Sequence, residues 1–179
     1  MPPETSGARA ALIAIATLLA PDSPRVGEEV ASAFDDPDGY VATHAERLEE
    51  RGIDDTDVEP GLPWIVLVNA LTDHGLLAEV DWKESAEEIV AELRELRSQP
   101  ARPDAWAWLD GAGDDDLATY DFLEVAAREL RASGTALVHL DIVSDCYPLV
   151  FVPADRAGEL AELATVAGYE ADLLGQGGG

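Results

Sequence analysis

The apolar positions of this chain recur mostly at helical spacing, with two short stretches at strand spacing. From Gly7 to Leu19 alanine and leucine predict a helix that Pro21 and Pro24 stop. Asp22 or Ser23 is placed to cap a second helix, with Pro24 in its first turn, running to about Phe34. Tyr40, Val41, Ala45 and Leu48 form a stripe that predicts a third helix from about Asp38 to Arg51, ended by Gly52. Beyond an acidic loop over 53–61, Pro63 opens a segment apolar on most faces, through Trp64, Ile65, Leu67, Val68 and Leu71. That pattern predicts the central buried helix. Leu77 to Trp82 reads as a strand, and Ser85 with Glu88 forms a capping box opening a helix to about Arg97.

Residues 98–118 lose the pattern at Pro100, Pro103, Gly111 and Gly113. Trp106, Trp108 and Leu109 nevertheless predict that the stretch packs back on the domain, because a free linker has no use for two tryptophans. A helix follows from about Asp121 to Ala132. The clearest strand pair, Gly134 to Pro153, comes next, with Ser144-Asp145 as its turn. A two-residue turn there sets Ile142 opposite Tyr147, Leu140 opposite Leu149 and Val138 opposite Phe151, one continuous apolar face. Leu137, His139, Asp141, Cys146, Pro148 and Val150 fall on the other. Pro148 has no N–H for a ladder bond, so its strand is an edge or has that amide side free. Asp155 is placed to cap a last helix ended by Gly168, and Tyr169 to Leu174 adds a short final strand.

The fold class is therefore α+β: a mostly helical N-terminal half packed on a small antiparallel sheet built on the β-hairpin. One domain is expected over 7–174, with flexible termini at 1–6 and 175–179.

Charge narrows the function classes. Of 179 residues, 37 are acidic and 11 basic, a formal net charge of -26, and only one base, Lys83, is a lysine. Residues 1–60 carry 14 acids, 61–120 carry 13 and 121–179 carry 10, so the charge is a property of the whole surface rather than of one tail. Such a field repels polyanions, which argues against nucleic acid and anionic lipid as partners and favours a basic protein. Mimicry of DNA toward a basic partner would need the charges gathered on one face. Salt adaptation or a GC-rich genome also accounts for acidic, arginine-over-lysine composition. A single cysteine, Cys146, leaves no internal disulfide and suits a reducing, cytoplasmic setting. The apolar run Ala10 to Ala20 is too short to span a bilayer and reads as a buried helix.

Candidate chemistry centres on the hairpin. A Cys146–His139 dyad fails on distance, since four residues along a strand separate them by about 13 Å. His139 and Asp141 are neighbours on one strand face, and with Asp145 and Tyr147 they are the candidate ligand-binding residues. A structurally bonded histidine is the plainer interpretation of His139. No metal site and no cofactor motif stand out: His44 and His74 lie on different helices, Asp36 to Ala45 fails the EF-hand pattern, and Asp110, Asp114 and Asp116 read as a solvated acidic loop. No catalytic residue is assigned.

Val80-Asp81-Trp82-Lys83-Glu84, Leu137 to Asp141, Ser144-Asp145, Tyr147 to Val150 and Val152-Pro153 together resemble an uncharacterised bacterial domain family of unknown function. The resemblance covers roughly Leu12 to Tyr169. It implies a soluble bacterial protein without an assigned reaction and carries no catalytic residues. The expectation from the residues is a non-enzymatic, partner-binding or regulatory protein, an immunity-type role being one instance. The alternative is a small-molecule-binding domain or enzyme with a pocket near His139, Asp141, Asp145 and Tyr147.

Overall fold

A computed structural model of the chain describes residues 3–53, 60–111 and 116–176. Among the described residues eight helices and four strands follow in order: α1 (Pro3–Leu19), α2 (Pro24–Asp35), α3 (Pro37–Thr43), α4 (Ala45–Glu49), α5 (Leu62–Asp73), β1 (Leu77–Asp81), α6 (Ala86–Glu95), α7 (Thr119–Ala132), β2 (Thr135–Leu140), β3 (Cys146–Pro153), α8 (Ala157–Ala167) and β4 (Ala171–Leu173). Short 3-10 turns occupy Ala107–Asp110 and Ala154–Arg156. The α+β class holds, and the sheet is antiparallel throughout in the order β1-β3-β2-β4.

Helices cover both faces of this sheet. Ala136, Val138, Leu140, Val150 and Val152 pack on α1, α2, α5 and α8 in one core. Ala78, Val80, Leu137, Leu149 and Phe151 pack on α6, α7 and Trp106 in a second. Burial on two sides explains why β2 and β3 are apolar at nearly every position. Helix α5 is the buried centre of the first core, as its all-round apolarity predicts. Its Trp64 indole donates to the Asp141 carbonyl (2.9 Å) and stacks on Tyr169 at 4.8 Å.

Several local expectations need correcting. The helix expected over Asp38 to Arg51 is broken at His44. That residue leaves helical backbone geometry at φ -118° and ψ 22°, and its Nδ1–H donates to the Tyr40 carbonyl while the two rings stack 4.0 Å apart. Ser23 stands at the N-cap of α2 without a side-chain bond, and Asp155 lies in a 3-10 turn, leaving Arg156 at the N-cap of α8. Helix α1 starts at Pro3, four residues ahead of the expected Gly7, and Gly175 is packed rather than loose. Its N–H donates to Glu124 (2.9 Å), and at φ +76° a Cβ would sit 2.6 Å from the Arg128 nitrogen, an approach only glycine allows. Residues 177–179 and most of the acidic loop, 54–59, lie outside the described residues.

The capping box is present as expected, with Ser85 Oγ accepting from the Glu88 N–H and Glu88 accepting from the Ser85 N–H (3.0 Å). The interrupted stretch also packs back: Trp106 is buried, and Trp108 and Leu109 rest on the second core. Among the described residues no helix is long and apolar enough to cross a membrane.

Candidate functional site

The hairpin is closed by five residues, Asp141 to Asp145, not two. Asp141 Oδ1 accepts from the Val143 N–H (2.7 Å), and Ser144 Oγ accepts from the Cys146 N–H (3.2 Å). Val143 is thereby held at φ 55°, a strained value for a β-branched residue, with its side chain almost wholly exposed. The longer loop slides the register by one residue: His139 pairs with Leu149, Val138 with Val150 and Leu137 with Phe151. A one-residue slip moves side chains to the opposite face. Val150 now lies with Val138, while Leu149 and Phe151 lie with Leu137.

Two readings fall with that register, the edge-strand alternative for Pro148 and the shared face of Cys146 and His139. Strand β3 is central, between β1 and β2; Pro148 faces Glu79 of β1, one position past the last β2 pair, and the outer strands are β1 and β4. Cys146 pairs with Asp81 on the face that carries Glu79, whereas His139 lies on the opposite face with Tyr147. The dyad is thus excluded by the sheet itself as well as by distance. Burial first, then the charges of Glu79 and Asp81, pushes the Cys146 thiol up and disfavours the nucleophilic thiolate.

Of the four candidate ligand-binding residues, the structure brings two together. The His139 ring meets Tyr147 edge-on at 5.4 Å, and Tyr147 in turn lies 5.9 Å from Tyr120 of α7. His139 Nδ1 is 3.3 Å from an Asp172 carboxylate oxygen on β4. Burial, then the nearby Glu124 carboxylate, pushes the Tyr120 hydroxyl up, so it remains a neutral donor. Asp141 and Asp145 stand apart from this file. Asp141 builds the loop, its N–H donating to the Glu170 carbonyl (3.1 Å), and the Asp145 carbonyl accepts from the Trp82 N–H (3.2 Å).

That last bond brings Trp82 to the same end of the sheet. The Thr119 hydroxyl donates to the Glu84 carbonyl (3.0 Å), fixing the start of α7 beside the turn that carries Trp82. Trp82 and Tyr120 are each about half exposed, at 51% and 45%, and Lys83 Nζ stands 4.5 Å from the Trp82 ring. The end of the sheet therefore presents aromatic rings beside carboxylates, a combination suited to holding cations by ring and charge together.

Two clefts lie off this file of rings, one of them against the hairpin loop itself. One, of about 590 Å³, is walled by Arg47, Arg51, Asn69, Glu79, Val143 and Cys146 among others. Its arginines are occupied: Arg51 makes a two-pronged pair with Glu79 (2.8 and 2.7 Å) and donates from Nε to Asn69 Oδ1, while Arg47 pairs with Asp73 and donates to the Asn69 carbonyl. This network stitches α4 to α5 and β1. Asn69, a lone amide inside an otherwise apolar helix, was its visible sequence signal. The second cleft is an apolar groove of about 650 Å³ between α6, α7 and the Ala107–Asp110 turn. Its one clue in the sequence was the tryptophan pair in the Pro- and Gly-rich stretch. Among the described residues no group of three or more His, Cys, Asp or Glu is arranged to hold a metal ion; Asp114 lies outside them.

The family model described as Domain of unknown function (DUF6630) matches residues 11–174, and the chain belongs to that family. Neither the curated proteins nor the solved structures contain a match.

Proposed function

We propose that this DUF6630 member is a non-enzymatic, cytoplasmic bacterial protein that binds a basic protein partner through the hairpin end of its sheet. The observation that carries the reading is the file of Tyr120, Tyr147 and His139 set beside Asp172 and Glu124, with the half-exposed Trp82 on the turn at the same end of the sheet. Aromatic anchors supply most of the energy at protein interfaces, and a surrounding negative field steers and selects a basic partner. A net charge of -26 extends that field over the whole surface and disfavours nucleic acid and anionic membranes. Covering the working face of a basic protein, as an immunity protein does to a toxin, is a role this surface suits. The reading rests on the aromatic face rather than on strand addition, since the outer strands β1 and β4 span only five and three residues.

The alternative of a small molecule held by His139, Asp141, Asp145 and Tyr147 has less support, because Asp141 and Asp145 serve the loop and none of the four lines either the cleft against that loop or the groove beside α6.

Affinity capture from the native lysate tests the proposal, using wild type and the variants Trp82→Ala and Tyr120→Ala. Both residues are half exposed, so the variants should fold. A stoichiometric basic partner held by wild type should weaken by about 30-fold in at least one variant, as loss of an anchor worth about 2 kcal/mol requires. It should also weaken as salt rises. A partner retained equally by both variants overturns the assignment to this face.

A further inference from the structure

The half-exposed Trp82 sits on a turn with little freedom of its own. The Asp81 N–H donates to Glu84 Oε1 (2.8 Å), the Glu84 N–H donates back to the Asp81 carbonyl (3.0 Å), and Asp81 Oδ1 accepts from the Lys83 N–H (2.9 Å). The Trp82 N–H is itself tied to the Asp145 carbonyl of the hairpin loop (3.2 Å). A large aromatic side chain is thus presented on backbone that is already ordered, so little entropy is lost when something covers it. One group covers part of it now. Lys83, the one lysine among 11 bases, places Nζ 4.5 Å from the centre of the Trp82 ring, and among the described residues it pairs with no carboxylate.

From this contact we infer that Lys83 is a built-in plug: its ammonium occupies the seat that an arginine of the basic partner takes, and the partner docks by exchanging one cation for the other. This exchange rests on the reading of the hairpin end as the seat of a basic partner, and it specifies the side chain received there. An indole face attracts any nearby cation, but arginine fits it better than lysine, because the guanidinium is planar, stacks on the ring and is more weakly hydrated than an ammonium. Exchange therefore gains contact for an incoming arginine and gains nothing for an incoming lysine. The turn and loop also carry Asp81, Glu84 and Asp145, whose charge favours a cation at this place over a neutral group. The displaced ammonium returns to water, and Lys83 is already exposed.

Calorimetric titration of the full chain with hexaarginine amide tests the inference in a double-mutant cycle. Lys83→Met keeps most of the stem and removes the ammonium; it should bind the probe about two- to fivefold tighter than wild type, the worth of one exposed cation–ring contact. Lys83→Arg, which keeps a cation for the ring, should give no gain. Arg25→Met removes an exposed charge from α2, which packs in the core on the other face of the sheet, and so measures what the change in net charge alone contributes. Its gain should be smaller than that of Lys83→Met, and in the Trp82→Ala background the gain from Lys83→Met should fall to the same level. A gain from Lys83→Met no larger than that from Arg25→Met, or one that persists in full without Trp82, overturns the plug and leaves the aromatic face standing. Probe affinity unchanged when Trp82→Ala or Tyr120→Ala is added to Lys83→Met, or no saturable binding by any of the proteins, overturns the face and the plug with it.

Discussion

Replacing Arg51 with methionine removes the inner of two arginine pairs, and the outer pair provides a built-in control. Arg51 and Glu79 have side chains only 22% and 25% exposed, whereas Arg47 and Asp73 are 39% and 46% exposed. Breaking a fully buried pair costs about 3–5 kcal/mol, and an exposed pair contributes about 0–1. Arg51 also satisfies Asn69, which is 5% exposed, so its loss leaves a carboxylate and a buried amide oxygen without a donor. An intermediate cost of about 2–3 kcal/mol is expected. At about 2–4 °C per kcal/mol for a chain of this size, that is a fall of about 4–12 °C in Tm. Arg47→Met should cost less than about 1 kcal/mol. In the double variant Arg51→Met/Glu79→Leu the loss should be clearly smaller than the sum of the single losses, because no uncompensated charge remains. Calorimetry with urea unfolding compares wild type, Arg47→Met, Arg51→Met, Glu79→Leu and the double variant. Equal losses for Arg51→Met and Arg47→Met, or strict additivity in the cycle, would refute the claim that burial sets the strength of this pair.

Two further outcomes follow from local geometry. Ser85→Ala removes half of the capping box and should cost about 1 kcal/mol in urea unfolding, whereas Ser85→Asp, which keeps an acceptor, should stay close to wild type. Burial, then the Glu29 carboxylate, pushes the Tyr40 phenol from 10.0 up to about 12. Its folded pKa exceeds its unfolded one, so the stability it lends is complete below about pH 10 and is lost as pH rises through about 12. Tyr40→Phe should melt with a shallower alkaline decline over that window, and an unchanged slope would sink the assignment.

What the sequence disclosed divides by the kind of signal. Helix boundaries marked by caps, prolines and glycines were readable: the Ser85 box, Pro24 in the first turn of α2, and Gly168, which ends α8 at φ +88°. The central place of α5 was readable from its apolarity. The hairpin register was not. Alternation fixes register only where one strand face is polar, and here Leu137, Val138, Leu140, Leu149, Val150 and Phe151 are all buried. The loop instead follows from Asp141 and Ser144 accepting local backbone N–H groups, a choice that strand spacing does not encode. His139 and Tyr147 come together because both project to the α7 side. Tyr120 and Trp82 were missed, since only the fold brings the start of α7 and the turn after β1 to the hairpin end of the sheet.

The central position of β3 has a consequence for synthesis on the ribosome. Strand β1 is made early, yet its ladder partner follows some 65 residues later, at Cys146. Helix α5 likewise waits for Asp141 to accept its Trp64 indole proton and for Val150 and Val152 to cover it. Until the last quarter of the chain emerges, the most apolar helix has no sheet to lie on. A nascent chain stalled after α7 would therefore display that helix as chaperone substrate, and folding is expected to be a late, nearly all-at-once event at the end of translation.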